Sequence, residues 1–160
     1  MIHTLPVMFL LLLANPARAV EDAKGEKIEY ATYPAYFEKN NSGLKGEVSY
    51  LAFTDKDAFG KVFALRPPLM GGKKPVPLPD MAFEKQVVFS IIKRGNSVTM
   101  YTVEKVTADG TTIYVQYKAE SGPPGTATFA NPLIVATERG KAKQVVFIEN
   151  GKTVGTVEVK

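Results

Sequence analysis

Apolar and polar residues alternate along most of the chain from residue 87 onward, and this pattern predicts one β-strand after another. In the segment TTIYVQYKA (111–119), the side chains of Ile113, Val115 and Tyr117 fall on one face, as in a strand that is buried on one side. The run VVFSII (87–92) is apolar on both faces except for Ser90, which predicts a central strand. Strands are also predicted at 98–106, 132–139, 143–149 and 152–159, and earlier ones at 27–33 and 48–54. Asn150-Gly151 predicts a tight hairpin between the last two.

One helix is predicted, over TDKDAFGKVFAL (54–65). Thr54 is the expected N-cap, because Asp57 follows it at the spacing of a capping box. Asp55 and Asp57 are interpreted as capping and helix-dipole charges rather than as a catalytic pair. The apolar stripe of Ala58, Phe59, Val62 and Phe63 is expected to pack on the sheet, and Pro67-Pro68 to end the helix.

Together these elements predict a mainly β fold, either an antiparallel β-sandwich or an open barrel of six to seven strands, with one short α-helix packed on it. A slip in the alternation at Tyr101-Thr102 indicates a β-bulge. The five prolines and two glycines of 66–80 predict a surface excursion. We divide the chain into a signal peptide (1–19), an N-terminal segment with a first strand (20–46) and a single β-rich domain (47–160).

The first residues have the pattern of a secretory signal peptide. An apolar stretch over 5–13 is followed by Asn15-Pro16 and then by Ala17-Arg18-Ala19, a small-x-small cleavage pattern. The stretch is about half the length that spans a bilayer. We expect cleavage after Ala19, a periplasmic or secreted product, and no integral membrane segment after cleavage. The alternative is an N-terminal core helix that stays in the fold.

The residue types of the exported chain exclude several kinds of chemistry. The chain has no cysteine, and its one histidine, His3, lies in the signal peptide. Catalytic arrangements that need an imidazole or a thiol, and the usual zinc sites, are therefore excluded after cleavage. We predict no cofactor, no metal site and no enzymatic activity. A Ser-Lys hydrolase based on Ser90, Ser97 or Ser121 stays open as an alternative.

The charge of the chain is mildly positive and widely spread. The formal net charge is +4, but the basic residues stand in separated pairs such as Lys73-Lys74 and Lys93-Arg94. Nucleic-acid binding requires a continuous basic face with stacking aromatic residues. We therefore predict no nucleic-acid partner.

Two loops are the candidate binding site. The segment ESGPPGTATFANP (120–132) contains linked prolines flanked by glycines, and this composition predicts either a stiff connection between sheets or a preorganised recognition tip. The predicted partner-binding residues are those of this loop and of the preceding hairpin tip, namely Gly122, Pro123, Pro124, Gly125, Thr126, Arg94, Gly95 and Asn96.

The segments LPDMAFEKQVVFSI (78–91) and YTVEKVTADGTTIYVQYKAESGPPGTATFANPLIVATERG (101–140) resemble the C-terminal domain of PrcB-type protease-complex subunits, a family of secreted or envelope-bound β-rich domains in bacteria. The residues at corresponding points are Asp80, Phe83, Val87-Val88, Val103-Glu104, Val106, Pro123-Pro124 and Pro132. That family carries a Thr-Gly-Gly-Tyr-like hairpin tip, similar to the inhibitory loop of chagasin-type peptidase inhibitors. This chain has KRGNSVTMY (93–101) there, without a Gly-Tyr pair.

These observations predict an exported, non-catalytic β-domain that binds a protein partner. The resemblance implies a secreted protease as that partner, with the domain acting as a stabiliser or an inhibitor-like module. The alternative is a structural envelope or surface-associated protein that binds glycan or lipid through its scattered basic residues. The oligomeric state is left open.

Overall fold

The structure of the chain is a computed structural model that describes residues 23–68 and 74–160. The predicted signal peptide and the cleavage site after Ala19 lie outside the described residues, as do residues 69–73 of the proline-rich excursion.

The described residues form eleven strands and two short helices. In chain order they are β1 (Glu26–Lys27), β2 (Tyr30–Thr32), β3 (Tyr36–Glu38), β4 (Val48–Phe53), α1 (Lys56–Val62), β5 (Phe63–Leu65), α2 (Ala82–Lys85), β6 (Gln86–Gly95), β7 (Thr99–Asp109), β8 (Thr112–Ser121), β9 (Phe129–Glu138), β10 (Gln144–Glu149) and β11 (Lys152–Glu158).

The strands form two main sheets and one small one. Sheet A has the order β1-β7-β8-β10-β11, sheet B has the order β2-β9-β6-β4, and β3 pairs with β5 alone. The N-terminal segment contributes a strand to all three sheets, because β1 pairs with β7, β2 with β9, and β3 with β5.

Sheet B is the middle layer, and an apolar core covers each of its faces. Between sheets A and B lies a core that includes Phe89, Tyr117 and Phe147. On the other face of sheet B, Phe53 and Phe59 belong to a second core, which the helices and the β3-β5 pair help to close. Residues 87–92 are therefore buried on both faces of β6, which explains why that run is apolar throughout except for Ser90.

The predicted fold class is confirmed: the chain is mainly β and sandwich-like, with no closed barrel among its described strands. Its eleven described strands exceed the six to seven of the predicted fold. Eight strand segments were predicted one by one; the other three strands arise because 27–33 divides into β1 and β2, and because β3 and β5 were not predicted. One pairing is not antiparallel. β10 lies parallel to β8, with Val145 opposite Ile113 and Phe147 opposite Val115.

The predicted helix exists, but both of its predicted ends are wrong. Asp55 is the N-cap, because its carboxylate accepts a 2.7 Å hydrogen bond from the backbone N–H of Ala58. The Thr54 hydroxyl instead donates to the carbonyl of Lys160. The helix ends at Val62, because Phe63–Leu65 continue as β5 and pair with β3, so that tertiary pairing overrides the helical pattern.

Two further details of the prediction are corrected. The β-bulge in β7 lies between Val103 and Lys105, not at Tyr101-Thr102. The excursion at 66–80 is not wholly on the surface, since Leu78 is buried and its backbone N–H donates a 2.9 Å hydrogen bond to the hydroxyl of Tyr36. The short helix α2 then leads directly into β6.

Candidate functional site

The structure brings the two predicted loops together. One is the β6-β7 connection (95–98), which was predicted as a hairpin tip but joins strands of different sheets that do not pair with each other. The other is the β8-β9 loop (122–128), and we call the two the paired tips. The backbone N–H of Gly125 donates to the carbonyl of Asn96 at 2.7 Å, and that of Gly122 donates to the carbonyl of Val98 at 2.9 Å. Each tip carries the chain between sheet A and sheet B, so both are connections between sheets.

The strand ends that lead into the paired tips are themselves paired. Gly95 lies opposite Phe129 in sheet B, and Thr99 lies opposite Ser121 in sheet A. The side-chain amide of Asn131 adds hydrogen bonds to the carbonyls of Lys93 and Ser97, at 3.4 and 3.2 Å. Four strands and these side-chain bonds therefore fix the tips, which lowers the entropy that a partner would have to remove on binding.

The paired tips and the strand ends beside them expose apolar side chains that the sequence analysis did not select. Val98, Met100 and Phe129 have exposed fractions of 48%, 73% and 37%. The available signal was the alternation of 98–106, which places Met100 on the polar face of its strand with Thr102 and Glu104. Phe129 stands in a run, 121–130, whose residues are all exposed.

Arg94 is placed at the base of the tips, with its guanidinium bound to the protein itself. It forms two 2.8 Å hydrogen bonds with the carboxylate of Glu38, and others with the Ser49 hydroxyl and the Gly46 carbonyl. Its side chain is 17% exposed and that of Glu38 is 7% exposed. Burial alone would raise the pKa of Glu38, but hydrogen bonds from Arg94 and Ser42 and the charge of Arg94 lower it below its ordinary value.

A second polar network joins the two sheets below the tips. The carboxylate of Glu149 in sheet A pairs with the ammonium of Lys93 in sheet B and accepts a 3.0 Å hydrogen bond from the hydroxyl of Tyr117. Burial, and then the negative charge of Glu149, raise the pKa of Tyr117 above its ordinary value. Because each of these groups has a partner, the network is expected to hold the sheets in register rather than to carry out chemistry.

Two of the serines considered for the hydrolase alternative have different surroundings. Ser90 is fully buried in β6, and its hydroxyl faces the Ile91 carbonyl at 3.4 Å. The hydroxyl of Ser121 lies 3.2 Å from that of Thr99 at the paired tips. Over residues 23–68 and 74–160, no hydrogen bond between a serine hydroxyl and a lysine ammonium is formed, and no group of three or more His, Cys, Asp or Glu is arranged to hold a metal ion.

One cavity opens beside the second core, and another opens at the end of the sandwich near the paired tips. One, of about 900 Å³, has aromatic walls that include Tyr36, Phe59 and Phe83 and contains none of the predicted site residues. The other, of about 510 Å³, is a groove between β7 and β9 beside the paired tips.

Comparison of the chain with models of protein families, with curated proteins and with solved structures finds no match in any of the three. The resemblance to PrcB-type domains therefore stays a prediction. Among the described helices, none is both long and apolar enough to cross a membrane.

Proposed function

We propose that this chain is an exported, non-catalytic binding module that recognises a protein partner through its paired tips. The observation that carries the proposal is the position of three exposed apolar side chains, Val98 in one tip and Met100 and Phe129 on the strand ends beside the tips, which hydrogen bonds hold together. Exposed apolar groups on a rigid loop scaffold are typical of protein-binding surfaces.

Within this surface the predicted residues divide into two roles. Gly95, Asn96 and the loop from Gly122 to Thr126 are exposed and supply backbone polar groups for contact. Arg94 acts from below as an anchor, because its guanidinium is already bound to Glu38. Export follows from the signal pattern at 1–19, and a secreted protease is the partner that the resemblance to PrcB-type domains suggests.

The chain offers a matched set of variants to test this proposal. Val98→Ser/Met100→Ser removes two exposed apolar side chains at the tips. Val76→Ser/Met81→Ser removes the same two residue types at positions that are 70% and 64% exposed and lie outside the tips. Each variant, carrying a photo-cross-linker at Thr126, is exposed to the extracellular and envelope fractions of the cells that produce it.

We expect the wild type and the 76/81 variant to cross-link the same protein, and the 98/100 variant to lose that product at least tenfold. Equal cross-linking by all three would contradict a tip-borne site. The alternative is binding to glycan or lipid through scattered lysines. In that case both variants would be retained on membranes or glycans as the wild type is, and this retention would disappear as the salt concentration is raised.

A further inference from the structure

The open side of the sandwich is covered along only half of its length. The N-terminal segment adds Glu26–Lys27 to the outer edge of β7 at Thr107 and Ala108, and then adds Tyr30–Thr32 to the outer edge of β9 at 135–137. Among the described strands, none pairs with the outer edge of β7 over 99–103 or of β9 over 129–133. The groove of about 510 Å³ lies between these two uncovered stretches.

The backbone of β7 is ready to accept another strand there. The carbonyl of Val98 accepts from Gly122 on the β8 side, so strand alternation turns the polar groups of Thr99, Tyr101 and Val103 outward. The Val103 carbonyl confirms this direction, because it accepts a 3.4 Å hydrogen bond from the hydroxyl of Tyr30 on the outer side. Thr99 and Tyr101 then present their N–H and C=O groups to the groove.

The facing edge of β9 is poorly suited to pair with an added strand in the same stretch. Tyr33 donates from the outer side to the carbonyl of Ile134, so the backbone groups of Pro132, two residues earlier, also point outward. Proline has no N–H to donate, and such residues protect sheet edges from added strands. The groove therefore has one edge that accepts a strand, β7, and one that does not.

The groove also has a charge. Its walls are formed by residues of β2, β7 and β9, by the two residues that follow β2, and by Arg66. Arg66 is the one charged residue among these described walls, and its side chain is exposed. Its backbone is held by a 2.7 Å hydrogen bond to the carbonyl of Ala35. A carboxylate on the occupant would meet this guanidinium directly.

We propose that the groove binds an extended peptide segment of a partner protein, which adds to the edge of β7 as a new strand, with apolar side chains at alternate positions and an acidic residue that pairs with Arg66. Strand addition to an exposed edge is an established mode of peptide recognition. The domain's own N-terminal segment uses it on the neighbouring half of both edges. This inference rests on the proposed function, since it specifies the partner of the same end of the sandwich.

The test separates the backbone contribution from the charge. Thr99→Pro removes an outward N–H from β7 and leaves the ladder to β8 intact. Thr156→Pro is the matched control. The backbone N–H of Val159 donates to the carbonyl of Lys143, toward β10, so the backbone groups of Thr156, three residues earlier in β11, point the opposite way. They point outward from the other edge of sheet A. Arg66→Glu reverses the charge in the groove.

A displayed library of random ten-residue peptides is selected on the full chain and then measured on each variant. We expect enriched peptides with alternating apolar residues and an Asp or Glu, whose affinity falls at least tenfold on Thr99→Pro and on Arg66→Glu but is unchanged on Thr156→Pro. Selection on Arg66→Glu should enrich Lys or Arg in place of the acidic residue.

Either of two results would overturn the inference. One is that the enriched peptides bind Thr99→Pro as tightly as they bind the wild type. The other is that selection on the wild type enriches no peptide beyond those that selection on Thr99→Pro also enriches. A wild-type dimer in analytical ultracentrifugation that Thr99→Pro dissociates would also overturn it, because the occupant would then be a second copy of the chain. If Thr99→Pro keeps the product cross-linked at the tips while Val98→Ser/Met100→Ser loses it, this inference fails and the proposed function stands.

Discussion

The backbone N–H of Gly125 donates a 2.7 Å hydrogen bond to the carbonyl of Asn96, and this bond makes one unit of two loops that are 29 residues apart in sequence. Gly125 is not in a left-handed conformation, and a Cβ built on it meets its nearest neighbour at an ordinary 3.6 Å. The position therefore tolerates a side chain, and what it contributes is the N–H.

We predict that Gly125→Pro loosens the paired tips while Gly125→Ala does not. Proline removes the donor, whereas alanine keeps it. The net value of one such bond is about 1 kcal/mol. Hydrogen exchange should therefore become severalfold faster at 96–98 in Gly125→Pro, with the strands of sheet B unaffected. Unchanged exchange at 96–98 would show that the two tips are ordered independently.

The Glu38–Arg94 pair gives a prediction about acid stability. The folded-state pKa of Glu38 is lowered, so its contribution to stability is full above its unfolded pKa, near 4.5, and is lost as the pH falls through the folded value. Glu38→Gln should lower the free energy of unfolding by about 2 kcal/mol at pH 7, a typical value for hydrogen bonds to a charged group. Below pH 4 the difference from wild type should shrink.

Urea unfolding at pH 7, 5 and 3.5 measures this effect. Glu104→Gln is the control, because Glu104 also pairs with a cation, Lys118, but the ammonium side chain there is 58% exposed. It should change stability little at any of these pH values. A constant deficit of Glu38→Gln across the whole pH range would contradict the electrostatic explanation.

Gly155 and Gly60 give opposite predictions for the same substitution. A Cβ at Gly155 in β11 would lie 2.7 Å from the ring of Tyr50, whereas one at Gly60 in α1 meets nothing within 4 Å. Gly155→Ala should destabilise the protein by about 1–3 kcal/mol, because the tight contact between β11 and β4 must open. Gly60→Ala should stabilise it by about 0.5–1 kcal/mol through helix propensity. Thermal unfolding of the two variants compares the signs directly.

Asn150 should contribute to the stability of the fold through its side chain as well as through its backbone conformation. It has a φ of 50°, and its amide group bonds both the N–H and the carbonyl of Ala119 at 3.3 Å, beyond the last residue pair of β8 and β10. Asn150→Gly keeps the turn and loses the two bonds, while Asn150→Ala also incurs left-handed strain of about 1 kcal/mol. We expect stability to fall in the order wild type, Gly, Ala by urea unfolding. A glycine variant as stable as wild type would show that the amide contributes nothing.

The raised pKa of Tyr117 gives a prediction about the stability of the protein at alkaline pH. Burial and the charge of Glu149 raise its pKa in the folded state, so its contribution to stability is present below the unfolded value, near 10, and is lost at higher pH as the folded value is approached. Tyr117→Phe should be less stable at pH 8 but should lose stability less steeply between pH 10 and 12. Urea unfolding of the wild type and of Tyr117→Phe at pH 8, 10 and 12 compares the two slopes.

The long strands were predictable because each has one face or both faces buried in a core. Alternation located β8, and an unbroken apolar run located β6, since a middle layer needs apolar residues on both sides. The short strands β3 and β5 were not predictable. Each has three residues and is a strand only because the other is its partner, and Phe63–Leu65 also continues the apolar stripe of the helix before it.

The candidate site was predictable in composition but not in arrangement. Glycine and proline marked the β8-β9 loop, yet nothing in the sequence connects Gly125 to Asn96, because that bond depends on the way two sheets are stacked. Arg94 was assigned to the exposed tip because it stands beside Gly95-Asn96. The structure gives it Glu38 as a partner, a residue of the N-terminal segment that lies outside the predicted strands.

The parallel alignment of β10 with β8 has a consequence for the order in which the domain assembles. The chain must leave sheet A after β8, add β9 to sheet B, and return before β10 can find its neighbour. The closing entropy of that long detour has to be overcome before the pairing gives any stabilisation. We therefore expect the β10-β11 hairpin to form early on its own and to dock late, as the slow step of refolding.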